Sequence, residues 1–303
     1  MNTGEPSRDA KESEQVMGTQ EPVKFPMPEK GVSVAIVVGG RENRPQGEGP
    51  QPVSVSDATH LNANTEVHPL DVREKQKRLS LMVVTERSIR FNDLYGLLHN
   101  RNWLTAAYGR VRLNAGSKTA GYDGMNMRDF EENLEGNLQS LRDSLKAEVF
   151  EPSPVRRRTI TESKHGRVKQ RPLGIPTIKD RIVQEALRMI LEPIFESDFS
   201  RNSYGFRPNR CTKDAVAYLG LRLTGSLSYG WIIEGDIQSF FDTIDHHKLM
   251  GLLKRRIEDK KLLALIWKFL RAGVLEQGNV RNTLLGTPQG GITTPPTILL
   301  NVF

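Results

Sequence analysis

The chain has 303 residues, a pI of about 9.5 and a formal net charge of +7, from 43 basic and 36 acidic side chains. Its single cysteine, Cys211, excludes an intramolecular disulfide and a zinc site built from cysteines. No apolar run reaches the roughly 18 residues of a membrane span, and acidic residues occupy the start, where a signal peptide would be basic and then apolar. We therefore expect a cytoplasmic protein whose charge favours a polyanionic partner.

Residues 1–78 are rich in Gly, Pro, Glu, Asn and Ser, which predicts a largely disordered tail with one short apolar patch from Val32 to Val38. A basic arm that folds on nucleic acid is the alternative, although the charges there are mixed. Ten of the 43 basic and twelve of the 36 acidic residues lie in the first 80 positions. The positive excess therefore belongs to the rest of the chain.

Residues 79–150 carry apolar side chains at helical spacing, in two stretches that end near Leu113 and Leu145. Between these stretches, Lys118-Thr-Ala-Gly-Tyr-Asp-Gly124 has the glycines and the Asp of a tight loop. We predict a helical N-terminal extension over residues 79–150.

Residues 151–176 predict a β-hairpin that turns at His165-Gly166 and carries basic residues on both arms. The first arm begins with three arginines, Arg156, Arg157 and Arg158. Either they contact phosphates or they form a solvated edge that is protected by charge, and both interpretations stay open. Lys164 and Arg171 lie seven residues apart. A compact ammonium and a bidentate guanidinium both suit phosphoryl oxygens, so this pair is a candidate phosphate grip.

Thr177, followed three residues later by Asp180, predicts the start of a helix that belongs to the core. The next loop, Ser203-Tyr-Gly-Phe-Arg-Pro-Asn-Arg210, alternates aromatic and basic residues and leads into a helix over residues 212–223. Arg207 either faces a nucleic-acid backbone or packs as a structural cation, and both alternatives stay open at this point.

Trp231 to Ile233 predicts a short buried strand, and Asp236 follows where such a strand reaches the surface. A carboxylate there is a candidate ligand for a divalent metal ion. Asp245 precedes a helical pattern and is expected to cap that helix. The adjacent His246 and His247 point apart on a helix, so capping or surface roles are expected for them rather than metal binding.

The remaining residues predict two helices, the first of which continues into Lys254-Arg-Arg256, and a hairpin broken at Gly278-Asn279. A glycine-rich segment from Gly286 to Gly291 follows and contains Gln289 and Gly290. Its glycines allow a ligand to approach the backbone closely.

In this order, the segments resemble the group II intron-encoded reverse transcriptases, whose usual loop before the hairpin is close to KTAGVDG. The likeness covers residues 85–295, from the Lys118–Gly124 loop through the basic hairpin, the Phe-Arg-Pro loop and Asp236 to the Gln-Gly-Gly segment. It implies an α+β fold in which residues 151–303 form the fingers and a partial palm of a right-hand polymerase, with antiparallel strands and packed helices, after the tail and the helical extension.

The resemblance also implies a function, an RNA-directed DNA polymerase of a group II intron mobile element that binds intron RNA and assists splicing. Its implied partners are intron RNA, template RNA, a DNA primer and deoxynucleotide triphosphates, while a homodimer stays open. Asp236 is implied as the catalytic ligand of Mg²⁺, with the carbonyl of Ile237 as a further oxygen donor. The implied nucleotide-binding residues are Lys164, Arg171, Phe240, Phe241, Gln289 and Gly290. The implied RNA-binding residues are Arg156, Arg157, Arg158, Arg207 and Arg210.

Two features depart from the family pattern. The paired aspartates that usually lie in Tyr-Ala-Asp-Asp do not occur within residues 1–303, and Pro296 interrupts the usual Ser-Pro-Leu-Leu-Ala-Asn continuation. We therefore expect this chain, which looks truncated, to be inactive alone. A non-catalytic intron-RNA-binding remnant and an RNA-dependent RNA polymerase stay open as alternatives. Phe241 argues against the second, because an aromatic ring there resembles the family's steric gate against ribonucleotides.

Overall fold

The computed structural model describes residues 32–38, 69–164, 167–224, 231–237, 240–276, 279–281 and 286. Its α-helices are α1 (Pro69–Thr85), α2 (Tyr95–Leu98), α3 (Arg101–Leu113), α4 (Met127–Glu131), α5 (Leu134–Lys146), α6 (Ile178–Phe195), α7 (Thr212–Thr224), α8 (Phe240–Thr243), α9 (His246–Leu253) and α10 (Lys260–Arg271). Its strands are β1 (Val32–Val38), β2 (Val155–Lys164), β3 (Arg167–Ile175), β4 (Trp231–Ile237), β5 (Val274–Glu276) and β6 (Asn279–Arg281).

Helix α6 is the centre of the core, and α1 and α3 pack against it. Its wide apolar face explains this position, because Ile178, Ile182 and Ile190 have no exposed surface. The indole of Trp103 on α3 is buried against α6, where its Nε1 donates a hydrogen bond to the carbonyl of Ala186 at 3.0 Å. Apolar packing is therefore continuous across residue 150, while the division into domains at that residue stays a prediction.

A buried ion cluster joins the same three helices. The Glu185 carboxylate on α6, which is 2% exposed, accepts from Arg188 at 2.7 and 2.8 Å and lies 3.4 Å from Arg110 on α3. Gln76 on α1 joins the cluster, since its Oε1 accepts from Arg110 at 3.4 Å, and its Nε2 donates to the carbonyl of Met189 at 2.8 Å. The cluster satisfies a charge that would otherwise be costly to bury.

The Asp259 carboxylate connects the N-terminal helices with the C-terminal ones. One oxygen accepts from the backbone N–H groups of Leu94 and Tyr95 at 2.8 and 2.7 Å. The other caps α10 by accepting from Lys261 and Leu262, both at 3.0 Å. A single buried carboxylate thus satisfies the free donors at two chain segments that are distant in sequence.

Four strands form a mixed sheet in the order β3-β2-β5-β6. The predicted hairpin is present, since β2 and β3 pair antiparallel from Arg156 opposite Ile175 to Lys164 opposite Arg167. Its predicted turn at His165-Gly166 lies outside the described residues. Pro172 is accommodated because β3 is at the sheet edge, where a missing N–H donor costs little.

The expected antiparallel pairing is present between β2 and β3 and between β5 and β6, but the sheet is mixed because β5 pairs parallel with β2. Helices α6 to α10 lie between these strands in sequence. This long connection lets the chain re-enter the sheet in the same direction. The hairpin between β5 and β6 is antiparallel, as predicted, with Leu275 opposite Val280.

Several helix boundaries differ from the sequence-based ones. Helix α1 begins at Pro69, before the predicted end of the tail at residue 78, because Val72, Leu79 and Val83 bury one face of it in the core. Helix α9 ends at Leu253 instead of continuing into Lys254-Arg-Arg256. Within the part of the chain that the structure describes, no helix has both the length and the apolar character needed to cross a membrane.

Candidate functional site

Strand β4 carries Asp236 as its next-to-last residue. The predicted strand at Trp231 to Ile233 is therefore longer than expected and includes the acid instead of preceding it. Ile233 is 73% exposed, so the expectation of a buried strand was wrong at this position. The strand pairs antiparallel with β1, which places Ser33 opposite Asp236.

Helix α8 follows β4 and begins with the aromatic pair of the predicted nucleotide pocket. The rings of Phe240 and Phe241 meet edge to face, with 5.3 Å between their centroids. Both side chains are partly buried and pack against the apolar core. Phe241 thus contributes to the core, while its role as a steric gate stays a prediction.

Gly286 brings the glycine-rich segment against α8. A Cβ atom at this position would lie 2.8 Å from the carbonyl oxygens of both Phe241 and Asp242. The φ angle of Gly286 is +81°, in the left-handed region that favours glycine. Its N–H donates to the carbonyl of Ile244 at 2.8 Å. The structure therefore joins two of the segments that sequence reasoning selected, one after β4 and one before Gln289.

His246 holds this junction together, and sequence reasoning missed that role. The side chain is 3% exposed, contrary to the expected capping or surface position. Its Nε2 lies 2.6 Å from the carbonyl of Gly286 and donates to it, and its ring meets Trp267 edge-on at 6.1 Å. Asp245 caps α9 as predicted, accepting from the N–H of Lys248 at 3.0 Å. Because Asp245 caps α9, His246 is the first residue of the helix, and the start of the helix sets the direction of its side chain.

The predicted triphosphate residues occupy the far half of the β2–β3 hairpin, where the structure describes their backbone. Arg171 pairs with Ile160. Lys164 lies four residues beyond Ile160 on the same strand, about 13 Å further along, at a position of the same parity in the alternation of the strand. Gln289 and Gly290, the other predicted nucleotide-binding residues, lie outside the described residues.

The three arginines at the base of the hairpin differ from one another. Arg158 is exposed, whereas Arg157 forms an ion pair of 3.6 Å with Glu276 on β5. Arg156 is partly buried, and its Nε has no hydrogen-bond partner. Arg157 and Arg158 therefore remain available to a solvent-side anion, and an unpaired buried donor in Arg156 is costly unless a ligand or water supplies an acceptor.

The contacts of Arg207 favour the structural alternative over the RNA-binding role implied by the resemblance. Its guanidinium donates to the Glu196 carboxylate at 2.7 and 3.0 Å and to the carbonyls of Ser200 and Ser203 at 2.8 and 2.9 Å. It also lies 4.7 Å from the ring centroid of Phe199. These internal acceptors occupy its donors because the loop has few backbone partners of its own.

The Lys118–Gly124 loop is anchored to the start of α6 by Arg181. This guanidinium donates to the carbonyls of Gly116 and Thr119 at 2.9 and 2.6 Å. Gly121 permits the contact, because a Cβ there would lie 2.6 Å from the Cα of Thr177. Thr177 caps α6 as predicted, accepting from the N–H of Asp180 at 3.1 Å. Burial raises the pKa of the Asp180 carboxyl to about 6.

The oxygen atoms at Asp236 and Ile237 are of the kind that binds a divalent ion, but they are too few to form a complete site. Aspartate and backbone carbonyl oxygens, such as those of Asp236 and Ile237, are the hard ligands that Mg²⁺ prefers. Among the residues whose placement is described, no group of three or more His, Cys, Asp or Glu side chains could hold a metal ion. The described residues therefore do not form a complete metal centre by themselves.

Comparison with known proteins agrees with this arrangement of segments. Residues 162–301 match the reverse transcriptase (RNA-dependent DNA polymerase) family. This region includes β3, Asp236, both phenylalanines and Gly286. The match identifies residues 162–301 as a reverse transcriptase domain.

Three relatives narrow the class. Protein YkfC of Escherichia coli strain K12 is 41% identical over 237 residues, 77% of this chain and 61% of that protein. Group II intron-encoded protein LtrA of Lactococcus lactis subsp. cremoris is 40% identical over 218 residues, 70% of this chain and 34% of that protein. The putative COX1/OXI3 intron 1 protein of Saccharomyces cerevisiae is 36% identical over 217 residues, 70% of this chain and 24% of that protein.

The family match and these relatives support a group II intron-encoded reverse transcriptase and maturase. The chain spans from about a quarter to about three fifths of the length of these relatives. Reverse transcriptases use divalent metal ions, so the acid on β4 is in keeping with the family.

Proposed function

We propose that this chain is the fingers and partial palm of an RNA-directed DNA polymerase of a group II intron, which also binds intron RNA and assists its splicing. The observation that carries the proposal is the junction between β4, α8 and Gly286. In it the strand that bears Asp236 leads directly to Phe241, and the backbone of Phe241 packs against the start of the segment with Gln289 and Gly290.

In this proposal Asp236 supplies one carboxylate of a Mg²⁺ centre, and the carbonyl of Ile237 supplies a further oxygen. Two divalent ions, when bound, stabilise the attacking and leaving oxygens of a nucleotidyl transfer. One carboxylate and one carbonyl supply too few oxygen ligands to hold two Mg²⁺ ions, and residues 1–303 contain no Tyr-Ala-Asp-Asp. We therefore expect polymerisation to require the paired acids from a further segment.

The protein's own residues perform the positioning. Lys164 and Arg171 are proposed to hold the triphosphate from one face of the hairpin, since their register positions share parity. Phe240 supports Phe241 through an edge-to-face ring contact, and Phe241 is proposed to exclude a ribose 2′-hydroxyl. In an extended, active chain, Phe241→Ala should admit ribonucleotides, and strict retention of deoxynucleotide selectivity would remove the gate from the account.

Intron RNA is proposed to bind through phosphate contacts with the hairpin arginines and with Arg210. The solvent-side positions of Arg157 and Arg158 support this. Counterion release predicts that affinity for intron RNA falls steeply with salt. Replacement of Arg156, Arg157 and Arg158 by Ala should weaken binding and make the plot of log affinity against log salt shallower. An unchanged affinity and slope would show that these cations form only a solvated edge.

A non-catalytic intron-RNA-binding remnant is the second candidate function. The described acids favour it, because they do not form a metal cluster. The two functions separate when the paired acids are supplied, since a remnant would bind RNA and still show no primer extension. A cytoplasmic location and a homodimer stay predictions.

A further inference from the structure

The loop of residues 199–211, which leads into α7, exposes an aromatic side chain while its backbone is anchored to the rest of the protein. Arg207 is 9% exposed and fixes the loop to Glu196 and to two carbonyls of the same loop. Arg210 adds a second brace by donating to the carbonyls of Arg201 and Ser203 at 2.5 and 3.2 Å. The backbone on the C-terminal side of Phe206 is therefore held in place before any ligand binds.

Phe206 is unfavourable for folding in two respects. It is 74% exposed, and its φ angle is +54°. A bulky residue rarely adopts the left-handed region, and a large exposed ring contributes little to the stability of the core. Strain combined with exposure is typical of a functional position.

Beside Phe206, two tyrosines and two arginines form a continuous series. The guanidinium of Arg210 lies 5.3 Å from the ring centroid of Tyr204, and the rings of Tyr204 and Tyr218 are 6.3 Å apart. Arg222 lies 5.1 Å from the ring of Tyr218 and donates to its hydroxyl at 3.2 Å. We call Tyr204, Phe206 and Tyr218, together with these arginines, the aromatic ridge. Tyr204 and Phe206 are two residues apart, so their Cα atoms lie within about 7 Å.

The charge around the aromatic ridge is positive. Arg201 and Lys213 are exposed at its margin, in addition to the two arginines of the ridge. Of the nearby acids, Glu196 is paired with Arg207. Asp214 accepts from the backbone N–H of Cys211 at 2.7 Å, and this hydrogen bond lowers its pKa. Its charge is thus directed to the start of α7.

Exposed aromatic rings among cations are the combination that binds single-stranded nucleic acid. Each base has a face that can stack on a ring, while the cations follow the backbone. In a duplex those faces are hidden, so a stacking surface selects unpaired nucleotides. A prearranged loop also reduces the conformational entropy lost on binding.

We propose that the aromatic ridge binds unpaired nucleotides of RNA, with the ring of Phe206 stacked on a base. The proposal rests on the RNA binding proposed above and adds to it a second mode of contact, which is independent of the phosphate contacts of the hairpin.

The test is fluorescence anisotropy of the full 303-residue chain with a labelled single-stranded RNA of mixed sequence and with the same RNA as a duplex. Phe206→Ala should reduce affinity for the single strand by roughly 5- to 150-fold, the range for loss of one base-aromatic stack. The dependence of affinity on salt should keep its slope, because no cation is removed. Phe206→Trp should restore affinity, and duplex binding should not change.

Two control variants separate stacking from structural effects. Leu221→Ala, on α7, truncates an apolar side chain that is 73% exposed and should leave affinity unaltered. Phe206→Gly removes the ring and also suits the left-handed backbone, so it should raise the denaturation midpoint while lowering affinity. A residue with only a structural role would not lower affinity while raising stability.

Three results would overturn the proposal. They are unchanged single-strand affinity in Phe206→Ala, an equal loss of affinity for duplex RNA, or an equal loss in Leu221→Ala, which would show that the effect is not specific to the Phe206 ring. If the unaltered chain still binds intron RNA when one of these results is obtained, the proposed function is retained and only the proposal for the aromatic ridge is refuted. If the unaltered chain binds no RNA, both fall.

Discussion

Gly286 is the residue whose replacement tests the junction between α8 and the glycine-rich segment most sharply. In Gly286→Ala the new methyl group would lie 2.8 Å from two carbonyl oxygens, those of Phe241 and Asp242. Because real Cβ atoms do not approach that closely, either α8 or the segment must move. The contact is with backbone on both sides, so rotation of a side chain cannot relieve it.

The expected loss of stability has two parts. The left-handed backbone, with φ at +81°, costs an alanine about 1–2 kcal/mol relative to glycine. Displacement of packed backbone adds a further overpacking cost of about 1–3 kcal/mol. Gly286→Ala should therefore lower the free energy of unfolding by about 2–5 kcal/mol, a large fraction of the stability of a typical domain.

Gly251→Ala is the matched control. Gly251 lies in α9, where an added Cβ has nothing within 4 Å. This substitution should raise the free energy of unfolding by about 0.5–1 kcal/mol, because alanine favours helix more than glycine does. Urea titrations followed by circular dichroism measure both variants, at an unchanged slope of free energy against urea concentration. If Gly286→Ala unfolds at the same urea concentration as the unaltered chain, Gly286 does not pack on α8 and the junction is wrong.

The other stability predictions concern residues that hold the same framework. His246→Phe should cost about 1–3 kcal/mol by leaving the Gly286 carbonyl without its donor, whereas His246→Gln, which keeps a donor, should cost less. Gly121→Ala should destabilise the fold because its Cβ would lie 2.6 Å from Thr177, whereas Gly116→Ala meets nothing within 4 Å; thermal unfolding compares the two. Burial raises the pKa of Asp180 from 3.8 to about 6, so its contribution to stability is complete below pH 3.8 and is lost as pH rises through 6. Between pH 3.5 and 7, the free energy of unfolding should fall less in Asp180→Asn than in the unaltered chain, by about 2–3 kcal/mol. Identical pH profiles of the two proteins would contradict the burial of a titrating carboxyl.

Local patterns were sufficient to predict much of the fold. The hairpin of β2 and β3, the Thr177 cap of α6 and the Asp245 cap of α9 all depend on neighbouring residues, and the structure shows each of them. Helix α1 was missed because its apolar residues are few and mixed with charges, so only packing against α6 shows which face is buried. The parallel pairing of β5 with β2 depends on the path of the whole chain.

The site shows the same division between local and distant information. Motif spacing selected Asp236 and Phe241, which lie five residues apart at the end of β4 and the start of α8. It could not assign Arg207 or His246, because the partners of these side chains, Glu196 and Gly286, are known only from the tertiary structure. Gly205 and Pro208, close to Arg207, indicate a constrained loop but do not reveal which way the arginine side chain points.

Primer extension tests most directly whether Asp236 is a ligand of the catalytic metal ion, as proposed. A chain extended with a palm segment that supplies the paired aspartates should copy an RNA template from a DNA primer in the presence of Mg²⁺. Asp236→Asn in the same extended chain should abolish primer extension and leave the denaturation midpoint nearly unchanged, because the side chain keeps its size. Full primer extension by the extended Asp236→Asn chain, or robust extension by residues 1–303 alone, would contradict the account.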